Sequence, residues 1–171
     1  MKFLSLLIIA IVFYFAQEIQ YIEASEQKCR KLPDQVEKSI KKHAREKRGA
    51  EYCEYRDITE GDIDGNITVD LIIAYNIEGA CYNQTDMPAG SCSNNHTTFL
   101  TVFLKHQKGL KQMKPIKVGG RGERSIVALR VRNGHIEGDT LEYNESDALC
   151  YPSKQGRASF VLIDGELKEI R

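Results

Sequence analysis

Ile67-Thr68-Val69-Asp70-Leu71-Ile72-Ile73-Ala74-Tyr75 decides how the rest of the chain is read. The run is β-branched and apolar and is bounded by turn residues, which is the signature of a strand rather than a helix. Thr97-Thr98-Phe99-Leu100-Thr101-Val102-Phe103-Leu104 repeats the signal more strongly, and Ser125-Ile126-Val127-Ala128-Leu129-Arg130-Val131 gives it a third time. Shorter candidates lie at 115–118, 136–143 and 159–163. Asn133-Gly134 and Asp164-Gly165 are two-residue hairpin turns, and the connections are too short for crossover helices, so the sheet is expected to be antiparallel. Upstream, Pro33 opens Asp34-Gln35-Val36-Glu37-Lys38-Ser39-Ile40-Lys41-Lys42-His43-Ala44, with apolar residues at 36, 40 and 44 and Gly49 beyond. Spacing by four with acids early reads as an amphipathic helix. The expected class is therefore α+β: a mostly antiparallel sheet of five to six strands with one N-terminal amphipathic helix.

The length of 171 residues, with 24 Lys+Arg, 24 Asp+Glu, 42% hydrophobic and 28% charged residues, bounds the chain to one modest domain. It excludes a multidomain enzyme, a disordered polyampholyte and a multispan membrane protein. A formal net charge of +0 argues against a general nucleic-acid coat, which needs surplus cations. Met1 and Lys2 precede an uncharged apolar run at 3–16 and a polar stretch at 17–25, the layout of a secretory signal peptide. The run is shorter than the roughly 20 apolar residues that span a bilayer. Cleavage is expected after Ala24 or Ser25. The expected organisation is 1–24 signal peptide, 25–50 basic helix and 51–171 β-rich domain, in a secreted or periplasmic protein that is not integral to a membrane.

All five cysteines lie beyond that leader, and an oxidising compartment makes disulfides their default state. No two form a Cys-x-x-Cys pair, so zinc and thioredoxin-type sites lack support. Five cysteines leave one thiol over and allow fifteen ways of making two bridges. Two loops are natural closures: Cys81 with Cys92 around a Gly/Pro/Asn-rich segment, and Cys29 with Cys53 around the helix, leaving Cys150.

Charge falls in blocks. Residues 28–48 carry nine bases and three acids, 51–86 nine acids and one base, and 105–132 nine bases and one acid. Neighbouring blocks of opposite sign can compensate one another; the basic helix reads either as a solvated outer face or as a surface for an anionic partner.

Asp62-Ile63-Asp64-Gly65-Asn66-Ile67-Thr68-Val69-Asp70 is the sharpest chemical signal. Oxygen-bearing side chains stand at Asp62, Asp64, Asn66, Thr68 and Asp70, and alternate positions of a tight loop can converge on the six to eight oxygens that Ca²⁺ takes. The pattern resembles the Asp-x-Asp-x-Asp-Gly-x-x-Asp loops of FG-GAP and dockerin-like repeats. It departs from them at Asn66 and Ile67, where an acid and a glycine are usual, and at Ile73, where a bidentate Glu would stand. The segment reads either as an acidic turn shaped by Asp and Asn bonding their own backbone or as a calcium site, calcium being the one candidate cofactor. Four Asn residues lie in Asn-x-Ser/Thr triplets, Asn66, Asn83, Asn95 and Asn144, and mark glycosylation sites in a eukaryotic secreted protein. A glycan on Asn66 and calcium ligation by it exclude each other.

Gly119-Gly120-Arg121-Gly122-Glu123-Arg124 is either an anion-cradling nest or a strand-to-strand turn. Cys150 with His96, His106 or His135 is the nucleophile–base combination available to a small hydrolase. No nucleophile-elbow or papain-like sequence surrounds it.

Thr140-Leu141-Glu142-Tyr143-Asn144-Glu145-Ser146-Asp147-Ala148-Leu149-Cys150-Tyr151-Pro152-Ser153, followed by Phe160-Val161-Leu162-Ile163-Asp164-Gly165-Glu166-Leu167, is similar to the ends of small uncharacterised secreted or periplasmic bacterial proteins. These close on an Asp-x-x-Cys-Cys-Pro-Ser motif and a hairpin, often with an Asp-rich loop upstream. Ile77-Glu78-Gly79-Ala80-Cys81, Cys92-Ser93-Asn94-Asn95 and Lys117-Val118-Gly119-Gly120-Arg121-Gly122 extend the resemblance over roughly residues 55–168. It implies that Cys81 and Cys92 are partners; Tyr151 stands where the second adjacent cysteine would be. The expected function is a disulfide-stabilised, non-catalytic binding or structural module carrying one calcium ion and engaging an extracellular or envelope partner, not nucleic acid. The alternative is a small secreted hydrolase using Cys150 with a histidine, or a metal-bound water at the Asp62/Asp64 cluster.

Overall fold

The computed structural model describes residues 29–79, 92–148 and 151–170. Residues up to Lys31 form one unit, of which 29–31 are described, and Leu32–Arg171 form a second, compact one. The expected signal peptide at 1–24, Cys81, Asn83 and Cys150 lie outside the described residues.

Helix α1 (Asp34–Glu46) begins after Pro33, with Asp34 and Glu37 in its first turn, where acidic side chains complement the helix dipole. Its stripe Val36, Ile40 and Ala44 is buried, at 0%, 0% and 4% exposure. Strands β1 (Ala50–Glu51), β2 (Asp57–Gly61), β3 (Asp70–Gly79), β4 (Cys92–His106), β5 (Gly109–Gln112) and β6 (Ile116–Gly120) form one sheet. A second sheet contains β7 (Ser125–Arg132), β8 (His135–Glu142), β9 (Lys154–Ile163) and β10 (Glu166–Ile170) in the order β10-β9-β8-β7. All the strand pairs are antiparallel.

The apolar runs in β3 and β4 are continuous because both faces of their sheet are covered. Ile73, Tyr75, Ile77, Phe99 and Phe103 pack against Val36, Ile40 and Ala44 of α1. Ile72, Ala74, Leu100, Val102 and Leu104, on the alternate positions, pack against Ile136, Ala158, Phe160 and Leu167 of the second sheet. The layers are thus helix, six-stranded sheet, four-stranded sheet. The second sheet is covered on one face only, so buried and partly buried residues alternate through the middle of β8 and β9.

The protein is mostly antiparallel β with one helix among the described residues, as expected. The expected single sheet of five to six strands is corrected to two sheets and ten strands. Strand β10 follows from the expected Asp164-Gly165 turn; the strands not expected, β1, β2 and β5, are two, five and four residues long and contain no fully buried residue. The quoted run 67–75 also starts its pairing only at Asp70, opposite Gly61. Both expected hairpin turns are present, with φ of 51° and 74° at Asn133-Gly134 and 51° and 76° at Asp164-Gly165, the left-handed pair that a type I′ turn requires.

Candidate functional site

The 62–69 segment is the loop of the β2–β3 hairpin, closed by the Gly61–Asp70 pair. Asp62 accepts the Gly65 and Ile67 amides on its two oxygens, at 2.8 and 2.9 Å. Asp64 accepts the Asn66 amide at 3.2 Å and Asn66 Nδ2 at 3.0 Å. Asn66 Oδ1 accepts the Thr68 amide at 2.7 Å. The Thr68 hydroxyl lies within reach of both Asn66 Oδ1 and the Lys105 carbonyl. Asp70 is fully buried and works as a clamp: Oδ2 accepts the Ile63 amide at 3.0 Å and Oδ1 the Lys105 amide at 2.8 Å, tying the loop to the end of β4.

Oxygens of Asp62, Asp64 and Asp70 approach within 4.8 Å of one another. Ligands 2.3–2.6 Å from one Ca²⁺ stand at about that separation. Each oxygen already accepts one hydrogen bond, and a carboxylate oxygen has a second lone pair to offer. Ile67, in the place where the resembled loops carry glycine, adopts φ 68° and is 92% exposed. The backbone therefore takes the left-handed turn with a β-branched residue, which disfavours it.

The other candidates are dispersed. Cys29 and Cys53 are disulfide-bonded, as expected. Cys92 opens β4 opposite Gly79. Asn95 is half-buried on β4, and Asn144 is exposed with its Nδ2 donating to Ser153 Oγ at 2.8 Å. His96 and His106 stand ten residues apart on β4, a span of about 33 Å at strand rise. His135 opens β8 in the other sheet. The 119–124 segment is a turn between β6 and β7 whose amides are spent: Gly120 N donates to Arg124 O, Arg121 N to His96 O and Glu123 N to Gly120 O. Arg124 holds Glu169 through both terminal nitrogens and donates from Nε to Val118 O.

Three further polar arrangements stand out. Arg56, 2% exposed at its side chain, forms paired hydrogen bonds with both Glu51 and Glu37. The Arg56 hydrogen bond holds the Glu37 carboxyl below its ordinary range, against the opposing effect of burial. Its partners lie five and nineteen residues away, so no spacing rule finds them. His43 is half-buried, with Nδ1 2.7 Å from the Tyr75 hydroxyl and its ring edge-on to Phe99. Burial, then Lys47, lowers the His43 pKa, and burial raises that of Tyr75. Asp147 accepts the Asn144 and Ser153 amides at 2.8 and 2.9 Å and the Ser153 hydroxyl at 2.8 Å. These bonds lower its pKa and join the first and last residues of the Asp-to-Ser motif.

No helix among the described residues is long and apolar enough to cross a membrane. Compared with family models, curated proteins and solved structures, the chain matches none.

Proposed function

We propose that this chain is a secreted or periplasmic, disulfide-stabilised, non-catalytic binding or structural module whose 62–70 loop takes one calcium ion. The observation that carries the reading is where its polar side chains are spent. Asp62, Asp64 and Asp70 hold backbone amides, Arg56 is locked between two glutamates, and Asp147 closes its own loop. Such groups fix a shape rather than attack a substrate. The disulfide at Cys29 and Cys53 supports an oxidising compartment. The Asp147–Ser153 bonds give the Asp-to-Ser motif a structural role.

The approach of Asp62, Asp64 and Asp70 oxygens to within 4.8 Å of one another is compatible with calcium. Calorimetric titration tests it: the expected result is one site with a Kd of about 10⁻⁴–10⁻³ M, as in extracellular modules, weakened at least tenfold by Asp64→Asn. No heat up to millimolar calcium, or a glycan on Asn66, removes the ion and leaves the scaffold reading standing.

A further inference from the structure

We infer that the outer face of α1 is a docking surface for an anionic phospholipid bilayer. Lys38, Lys41, Lys42 and Arg45 are all exposed, and their spacing of i, i+3, i+4 and i+7 puts them in one stripe about 10 Å long. The stripe lies opposite Val36, Ile40 and Ala44, which are consumed by the core. Three acidic residues of the helix border it. Glu37 is held by Arg56; Asp34 and Glu46 sit at the two ends of the helix, the latter 3.7 Å from Lys42.

The fold adds a second basic element. Gln35 Nε2 donates to Leu110 O at 2.7 Å, which fixes the β4–β5 hairpin beside the first turn of α1. Lys105 pairs with Leu110, whose side chain packs against the helix-side cluster, so both belong to the helix side of the sheet. Lys108 lies at the hairpin turn and is exposed. Asp62 and Asp64 flank this end through the bonds of their loop to Lys105 and mark the limit of the cationic face. A chain with no formal net charge thus gathers cations from two segments some sixty residues apart.

The chemistry of the stripe selects the occupant. Three of its four cations are lysines, which act as point charges rather than bidentate forks. The helix is convex, and the stripe has no aromatic ring on which a base could stack. A laterally continuous anionic surface satisfies such a face; a partner read by groove or base does not. With its apolar stripe buried, the helix has nothing to insert, so attraction is electrostatic, adding about fivefold in affinity per charge, and salt-sensitive. The inference deepens the binding-module reading and rests on it.

The test is co-sedimentation of the full mature protein with vesicles of phosphatidylglycerol and phosphatidylcholine, against phosphatidylcholine alone, with EDTA throughout so that calcium cannot bridge the 62–70 loop to lipid. One variant combines Lys38→Gln, Lys41→Gln, Lys42→Gln and Arg45→Gln. A control removes the same number of exposed charges from the second sheet, by Arg132→Gln, Lys154→Gln, Arg157→Gln and Lys168→Gln. The expected result is binding to the anionic vesicles alone, abolished when salt rises from about 0.1 to about 1 M and the screening length falls from about 10 to about 3 Å. The helix variant should lose about 100-fold or more, and the control less than about fivefold. Absence of binding to anionic vesicles at low salt overturns the inference, as does an equal loss in both variants. Binding to soluble heparin without binding to vesicles overturns it in favour of a polyanion. None of these outcomes bears on the disulfide or the calcium titration.

Discussion

At the scale of single residues, the backbone at Ile67 is the clearest departure from what the sequence favours. A β-branched side chain at φ 68° costs about 1–2 kcal/mol, and with 92% exposure it recovers nothing through packing. Ile67→Gly should raise stability by about 1 kcal/mol, the relief of strain being offset in part by the freer unfolded chain. Urea unfolding of the two proteins checks this; an unchanged or lower midpoint would show that the turn is not strained. Arg56 is the opposite case, a residue whose loss leaves charge behind. Arg56→Ala strands Glu51, itself 2% exposed at its side chain, and should cost about 3–5 kcal/mol. Glu37 adds a pH dependence. Its folded pKa lies below the ordinary 4.5, so its contribution is complete above 4.5 and is lost as pH falls through the folded value. Arg56→Ala should flatten that acid limb.

At the scale of elements, α1 shows which parts of a fold can be read in advance. Its boundaries were legible because Pro33, the early acids and the spacing of Val36, Ile40 and Ala44 agree with one another. Strands β3 and β4 were legible as continuous apolar runs, since a sheet covered on both faces needs no polar alternation. Strands such as β5, Gly-Leu-Lys-Gln, were not, because a four-residue edge strand with no fully buried residue resembles a polar loop. The acidic loop was legible as a motif, but the sequence could not show that its oxygens bond the backbone of β4. The packing of α1 predicts that Ile40→Ala costs about 2–5 kcal/mol, measurable by thermal unfolding. His43 supplies an independent check on the same contact. Its pKa is lowered on folding, so stability is full above the ordinary imidazole value of 6.5 and declines as pH falls below it. His43→Gln should remove that decline while keeping the hydrogen-bonding position beside Tyr75.

At the scale of the whole molecule, two hydrophobic layers do most of the stabilising, and the disulfide constrains the unfolded chain, worth about 2–4 kcal/mol. The disulfide between Cys29 and Cys53 and the proposed leader belong to one account, in which the chain is exported, oxidised and held rigid for binding. Its central claim is oxidation in an exported compartment, and non-reducing peptide mapping with intact mass of the protein taken from its own source tests it most directly. The account predicts a mature chain beginning at Ser25 or Glu26, with Cys29 and Cys53 in one cross-linked peptide pair. A chain that retains residues 1–24 with Cys29 and Cys53 as free thiols would contradict it.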